Sequence, residues 1–238
     1  MGIRKLNILS NVSRVTAADT EEELSVRREL EVTGTSLGWE LQLPFAAKEL
    51  DISADPKDYM LYVVPIMYSD LPNRNGFGFP LQELIRWNVE LGCQAYKGWA
   101  GMPMYQEHKS EDHKKACGIV IDTSLRRIAG LGRGKFWKLL GLAAIDRSKY
   151  SELTKRLDAK ELGSFSMGAM VNYCTCSYCG AEAGKCSHVP ESNEQTCLYE
   201  LNGQLVFKNV HVVKPYELSV VADPAFGTAY SDQPWGYS

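Results

Sequence analysis

Five of the chain's seven cysteines fall between residues 174 and 197, and their spacing is that of a metal ligand set. Cys176-Ser-Tyr-Cys179-Gly180 is a C-x-x-C-G turn, in which two thiolates can face one ion while the glycine lets the chain turn behind them. Cys186-Ser-His188, separated from Cys179 by six residues, supplies a third sulfur and an imidazole. Cys176, Cys179, Cys186 and His188 would close a tetrahedral Cys3His site, and the expected ion is Zn2+. That composition is structural rather than catalytic, because it leaves no position open for substrate. Cys174 and Cys197 are spare candidates for the same shell. Reduced surface thiols are the plain alternative, weakened by four ligand-type residues within thirteen positions. A redox role would need a thioredoxin-like βαβ setting, which the surrounding pattern lacks.

A second kind of chemistry lies just upstream, in Gly163-Ser164-Phe165-Ser166-Met167-Gly168. A serine hydroxyl is a poor nucleophile until a base takes its proton, so a histidine is required. The chain has four. His188 is assigned to the metal, and His113 sits in KSEDHKK, which reads as a solvated loop. His211, inside VFKNVHVVKP, reads as a packed or exposed strand histidine. His108 ends the stretch GWAGMPMYQEH and is the best placed at the edge of a cleft. Spacing alone does not bring Ser166 and His108 together.

These residues need elements to hold them. YMLYVVPIMY (59 to 68) is β-branched and aromatic and predicts a buried strand, preceded by a turn at ADPKD. LPNRNGFGFP predicts a loop, and LQELIRWNVEL (81 to 91) a helix stopped by Gly92. CGIVIDTSL (117 to 125) and KFWKLLGLAAI (135 to 145) read as two strands, although the second has the length of a helix as well. SKYSELTKRLDAKEL is the clearest amphipathic helix, capped by Asp146 or Ser148 and ending near Gly163. GSFSMGAMVNY, GQLVFKNVHVV and YELSVVADPAF give further strands, the last two split at Lys214-Pro215. Residues 1 to 57 form an N-terminal extension in which TEEELSVRRELEV fits a charged helix or an exposed strand, and LGWELQLPFAAKEL mixes both periods. The order, mostly strands with two or three helices, predicts an α+β protein built on a curled antiparallel β-sheet or β-barrel.

The formal net charge of −3 offers no electrostatic case for nucleic acid or an anionic membrane. No run approaches the roughly 18 apolar residues of a membrane span. The start shows no secretory signal, so a cytoplasm-like compartment is expected.

In combination, five segments in order resemble the prohead (capsid maturation) proteases of tailed bacteriophages, which share a fold with the herpesvirus assemblins. They are NRNGFGFPLQELIRW, MYQEHKSEDHKKACGIVID, IDRSKYSELTKRL, SFSMGAMVNY and YELSVVADPAFGTAY. The resemblance covers roughly residues 58 to 230, leaving 231 to 238 as a tail. The cysteine segment 174 to 197 resembles an insertion seen in the enzymes of large myovirus-type phages. The resemblance implies a serine endopeptidase with His108 as base and Ser166 as nucleophile, Ser164 being the alternative two residues away. Glu217, before Leu-Ser, fits the third member, with Asp122 as the alternative and Glu107 less suited if neighbouring strand residues point to opposite faces. Oxyanion donors would come from Gly168 or from the loop between Arg126 and Gly134.

The implied substrates are scaffold and major capsid proteins, and the protease itself, inside a prohead assembling in the host cytoplasm. A preference for glutamate before the cut is also implied, with Arg126, Arg127 and Arg133 as candidates to receive it. Homo-oligomers fit this setting; membrane and direct nucleic-acid contacts do not. The rival readings are a capsid-assembly or binding protein carrying a zinc knuckle, and a protease homologue that has lost activity.

Overall fold

The structure, a computed structural model, describes residues 39–128, 136–192 and 195–226, with side chains from residue 43 onward. TEEELSVRRELEV, Arg133 and the tail after Phe226 lie outside the described residues. The first element is helix α1 (Trp39–Leu50), followed by a 3-10 turn at Pro56–Asp58 and strand β1 (Tyr59–Tyr68). Next come β2 (Phe77–Gly78), the short helix α2 (Leu81–Ile85), β3 (Trp87–Asn88) and β4 (Cys93–Gln94). A 3-10 segment at Ala95–Trp99 leads to β5 (Pro103–Gln106), β6 (Gly118–Ile128), β7 (Phe136–Asp146) and helix α3 (Ser151–Asp158). Then follow β8 (Ser164–Met170) and β9 (Tyr173–Cys176), and after the cysteine segment β10 (Tyr199–Leu201) and β11 (Gln204–Val206). β12 (Lys208–His211) and β13 (Lys214–Val221) complete the described chain.

The main sheet runs β1-β7-β6-β5-β13-β8, and only β5 with β13 is parallel. It curls into a half-barrel, so that the edge strands β1 and β8 approach each other. The chain is thus α+β, with a curled and mainly antiparallel sheet. Both faces of the sheet are buried, which is why its central strands read as continuous apolar runs rather than alternations. On β7, Leu140, Leu142 and Ala144 meet α1, whereas Leu139, Ala143 and Ile145 join Trp99, Leu84, Leu153 and Leu157 on the other side. The helical length of KFWKLLGLAAI is therefore the mark of a doubly covered strand. β1 accepts Pro65 because it lies at the sheet edge, and the ladder is irregular there.

Several expected boundaries shift. The helix predicted over 81 to 91 stops at Ile85, and β3 folds back on β4. Arg86 is already extended, and Asn88 holds the turn that follows: its carboxamide oxygen accepts from the Glu90 and Leu91 N–H groups and its amide donates to Val213 O. Val89, one of the apolar residues that suggested a helix, points to solvent instead, as does Trp87. α3 ends at Asp158 rather than near Gly163, and its cap is Tyr150, with no side-chain bond. Asp146 instead closes the preceding turn, accepting from the Ser148 and Lys149 N–H groups. Lys214-Pro215 lies inside β13, and the chain breaks before it at Val212, which has φ +54°.

The part of the N-terminal segment that is described is a helix docked on the sheet, through Leu43, Ala47 and Leu50. Leu43→Ala should therefore cost about 2–5 kcal/mol in urea unfolding, as for other buried leucines. A cost under about 0.5 kcal/mol, the range of exposed sites, would show that the helix is not part of the core.

Candidate functional site

β8, β13 and β5 pair so that Ser166, Ser219 and Tyr105 stand abreast, and in register they share one face. Glu217 lies two residues from Ser219, hence on that face too. Tyr105 belongs to the core beneath α1, so this is the side of the sheet that α1 covers. A bulge between Pro215 and Glu217 adjusts the strand at this point. Gly168 is the residue opposite Glu217. A Cβ there would lie 2.5 Å from Glu217 Oε1 and 2.4 Å from the Tyr216 ring, so the missing side chain is what makes room for the carboxylate. This is the evident role of Gly168, read from sequence as an oxyanion donor.

Glu217 is completely buried, and both its oxygens are engaged. Oε1 lies 2.8 Å from His108 Nδ1, and Oε2 accepts from the Ser219 hydroxyl at 2.5 Å. His108 reaches it through an unusual bend just past β5, where Glu107 and His108 both have positive φ, +52° and +56°. Such backbone is costly for non-glycine residues and persists where the surroundings hold it. Here the Glu107 N–H donates to Val220 O, and Glu107 Oε1 accepts from the Ala222 N–H, so Glu107 is tied to the end of β13 by its backbone and its side chain. Glu107 is thereby occupied away from the imidazole. The hydrogen bond to Glu217 raises the His108 pKa, burial opposes the rise, and the charges of Glu217 and Glu107 add to it.

His108 and Ser166 line one cavity of about 300 Å3, together with Asn73, Arg74, Asn75 and Phe226. Ser164 faces the same way two residues earlier but donates its hydroxyl to Val221 O at 2.6 Å and is absent from the lining. Of the two serines, Ser166 is the one presented to the cavity. Asp122 is elsewhere, bound to Lys97 Nζ at 3.0 Å. Arg126 and Arg127 lie near the far end of β6, opposite Lys138 and Trp137, and do not line the cavity. The arginine that does is Arg74, paired with Asp223 across the mouth. Its signal in the sequence was the Asn-Arg-Asn-Gly loop, which read only as a turn. Ser219 was equally unmarked, its function resting on a neighbour two residues away.

The two remaining histidines are accounted for. His113, expected to be solvated, is exposed but hydrogen-bonds through Nδ1 to the Tyr105 hydroxyl. His211 is clamped, with Nδ1 3.1 Å from Glu83 Oε1, Nε2 2.8 Å from Thr175 Oγ1 and its ring stacked on Tyr173. With both nitrogens taken, it joins α2 to β9.

The cysteine segment forms a separate cluster. The ligand atoms of Cys176, Cys179, Cys186 and His188 all lie within 4.8 Å of one another. A tetrahedral ion with sulfur at about 2.3 Å would set neighbouring sulfurs about 3.8 Å apart, so the set needs only a small contraction to close. The knuckle is built by β9 and the turn after it, where the Gly180 N–H donates to Cys176 O and the Cys176 N–H to Ala181 O. Burial raises the Cys176 thiol pKa. At Cys186 burial acts in the same sense but is outweighed by the Val189 and His188 N–H groups and the neighbouring thiols, which lower it to about 7. The spare cysteines stand outside the cluster. Burial raises both of their pKa values, Cys197 donates to His188 O, and Cys174 packs in the main core.

His108 should titrate above the ordinary histidine value of about 6.5. Its ion pair then stabilises the fold fully below that pH, and the contribution fades as pH rises through the raised value. Glu217→Gln should lower the imidazole midpoint, read by NMR; an unchanged midpoint would contradict the pairing. Comparison of the chain with protein-family models, with curated proteins and with solved structures finds no match in any of the three.

Proposed function

We propose that this chain is a serine endopeptidase in which Ser166 attacks, His108 is the general base and Glu217 holds the imidazole. The observation that carries the reading is the histidine that is bonded to a fully buried carboxylate and shares a cavity with a presented serine. With Glu217 on Nδ1, the imidazole keeps its proton there and offers Nε2 as the base. His108 would take the Ser166 proton as the hydroxyl oxygen attacks the scissile carbonyl, and return it to the leaving amine as the C–N bond breaks. Water, deprotonated by the same imidazole, then releases the acyl group. Glu217 remains ionised and stabilises the imidazolium. Donors for the oxyanion are available from the cavity lining, which Arg74, Asn73 and Asn75 share with the serine.

The resemblance to prohead proteases supports an assemblin-like fold and, as substrates, the scaffold and major capsid proteins of an assembling phage prohead in the host cytoplasm. Arg74 gives the cavity a cation for a glutamate before the cut, by exchanging its Asp223 partner for the substrate carboxylate. The Cys3His cluster is read as a structural zinc site: three soft thiolates and an imidazole suit Zn2+, and the fourth ligand leaves no open position.

Ser166→Ala should abolish cleavage of co-expressed scaffold or capsid protein, mapped by the masses of new termini, whereas Ser164→Ala retains it. Wild-type processing by the Ser166 variant would overturn the assignment. Metal-replete protein should carry one equivalent of zinc, and Cys186→Ser should lose most of it; less than about half an equivalent in the wild type would contradict a tight structural site.

A further inference from the structure

The metal cluster and the catalytic cavity are separate in the sequence but share a wall in the fold. Asn73, Arg74 and Asn75, which line the cavity, run directly into Gly76 and β2. β2 pairs in parallel with β12, Phe77 opposite Lys208, and β12 pairs on its other side with β9, where Lys208 is opposite Cys176. One residue of β12 therefore stands between a metal ligand and the cavity loop. The Lys208 N–H donates to Gly76 O at 2.9 Å. Its ammonium is fully buried, donates to Ser192 O at 2.5 Å and lies 5.5 Å over the Phe77 ring. Ser192 belongs to the stretch joining His188 to Cys197. A buried ammonium held by carbonyls is tolerable only while those carbonyls stay in place.

Gly76 makes the second junction. It has φ +75°, and a Cβ there would fall 2.2 Å from Cys197 O, so the loop lies directly against the backbone of the cysteine segment. The loop's own bonds fix its shape without fixing its position: Asn73 Oδ1 accepts from the Asn75 and Phe77 N–H groups. Its position comes from β12 and Cys197 on one side and from the Arg74 N–H bond to Ala225 O on the other.

We infer that the Cys3His site is the positioning device of the substrate loop, so that metal binding sets where Arg74 stands and how tightly the cavity takes an acidic side chain. The consequence for substrate rests on the peptidase reading; the coupling of metal to loop does not. Closing the four ligands draws the 176–197 segment together, which holds Ser192 and Cys197 against Lys208 and Gly76. Opening them releases that support while the His108–Glu217 pair, anchored on β5 and β13, is left intact.

The test is hydrogen exchange read by mass spectrometry on the full chain, zinc-loaded and metal-stripped, with the zinc-loaded Gly76→Ala variant beside them. Stripping should speed exchange in peptides covering 73–79 by about tenfold, with β1 and α3 unchanged. Gly76→Ala should keep one zinc and show the same local loosening. With a peptide bearing glutamate before the cut, both should lower kcat/KM by about tenfold. Unchanged exchange at 73–79 on stripping, or an equal rise throughout the chain, overturns the inference even if the variant fails to fold. If exchange responds as expected but no peptide is cleaved, the coupling stands and the peptidase reading fails.

Discussion

A carboxylate wholly removed from water is the constraint around which this molecule is organised. Burying such a charge costs several kcal/mol or more unless its oxygens are satisfied, and Glu217 satisfies them with one imidazole and one hydroxyl. Nearby features follow from that arrangement. Gly168 must lack a side chain, the ladder must bulge before Glu217, and the chain after β5 must enter left-handed backbone twice to aim His108 inward. These are local costs, and the doubly covered sheet offsets them by fixing β5, β13 and β8 in one register. Ser166 needs no special geometry of its own; its place opposite Ser219 is a consequence of strand pairing.

The cysteine segment answers a different physical need. Residues 176 to 206 have a small satellite core around Cys176, Val189, Cys197 and Val206, too little to hold a loop-rich segment in place. A metal ion held by the four clustered ligands would supply what burial cannot. Lys208 lies beside it, donating its ammonium to Ser192 O and pairing through its strand with Phe77 at the end of the cavity loop.

Much of this was legible in residue types. The strands at 59 to 68 and 117 to 125 follow from their apolar runs, and the metal set follows from its spacing because all four ligands lie close in the chain. What depended on tertiary context was not. Nothing local to LQELIRWNVEL reveals that the helix will stop at Ile85 and that Asn88 will hold a turn beyond it. Arg74 was hidden because a loop residue gains meaning only from the cavity it borders, and the arginines of β6 offered the same charge in a more regular setting. Ser164 and Ser166 flank Phe165 on one strand, and what separates them is the Val221 O that takes the Ser164 hydroxyl, a partner that no local pattern reveals.

The account turns on whether Glu217 and His108 activate Ser166. Labelling with a fluorophosphonate across a pH series, with the modified peptide located by mass, asks this directly. Phosphonylation should occur at Ser166, rise to half its maximum above about pH 6.5, and slow by about a hundredfold or more in His108→Ala. Labelling at another residue, or at Ser166 with a rate indifferent to pH and to the loss of His108, would contradict it.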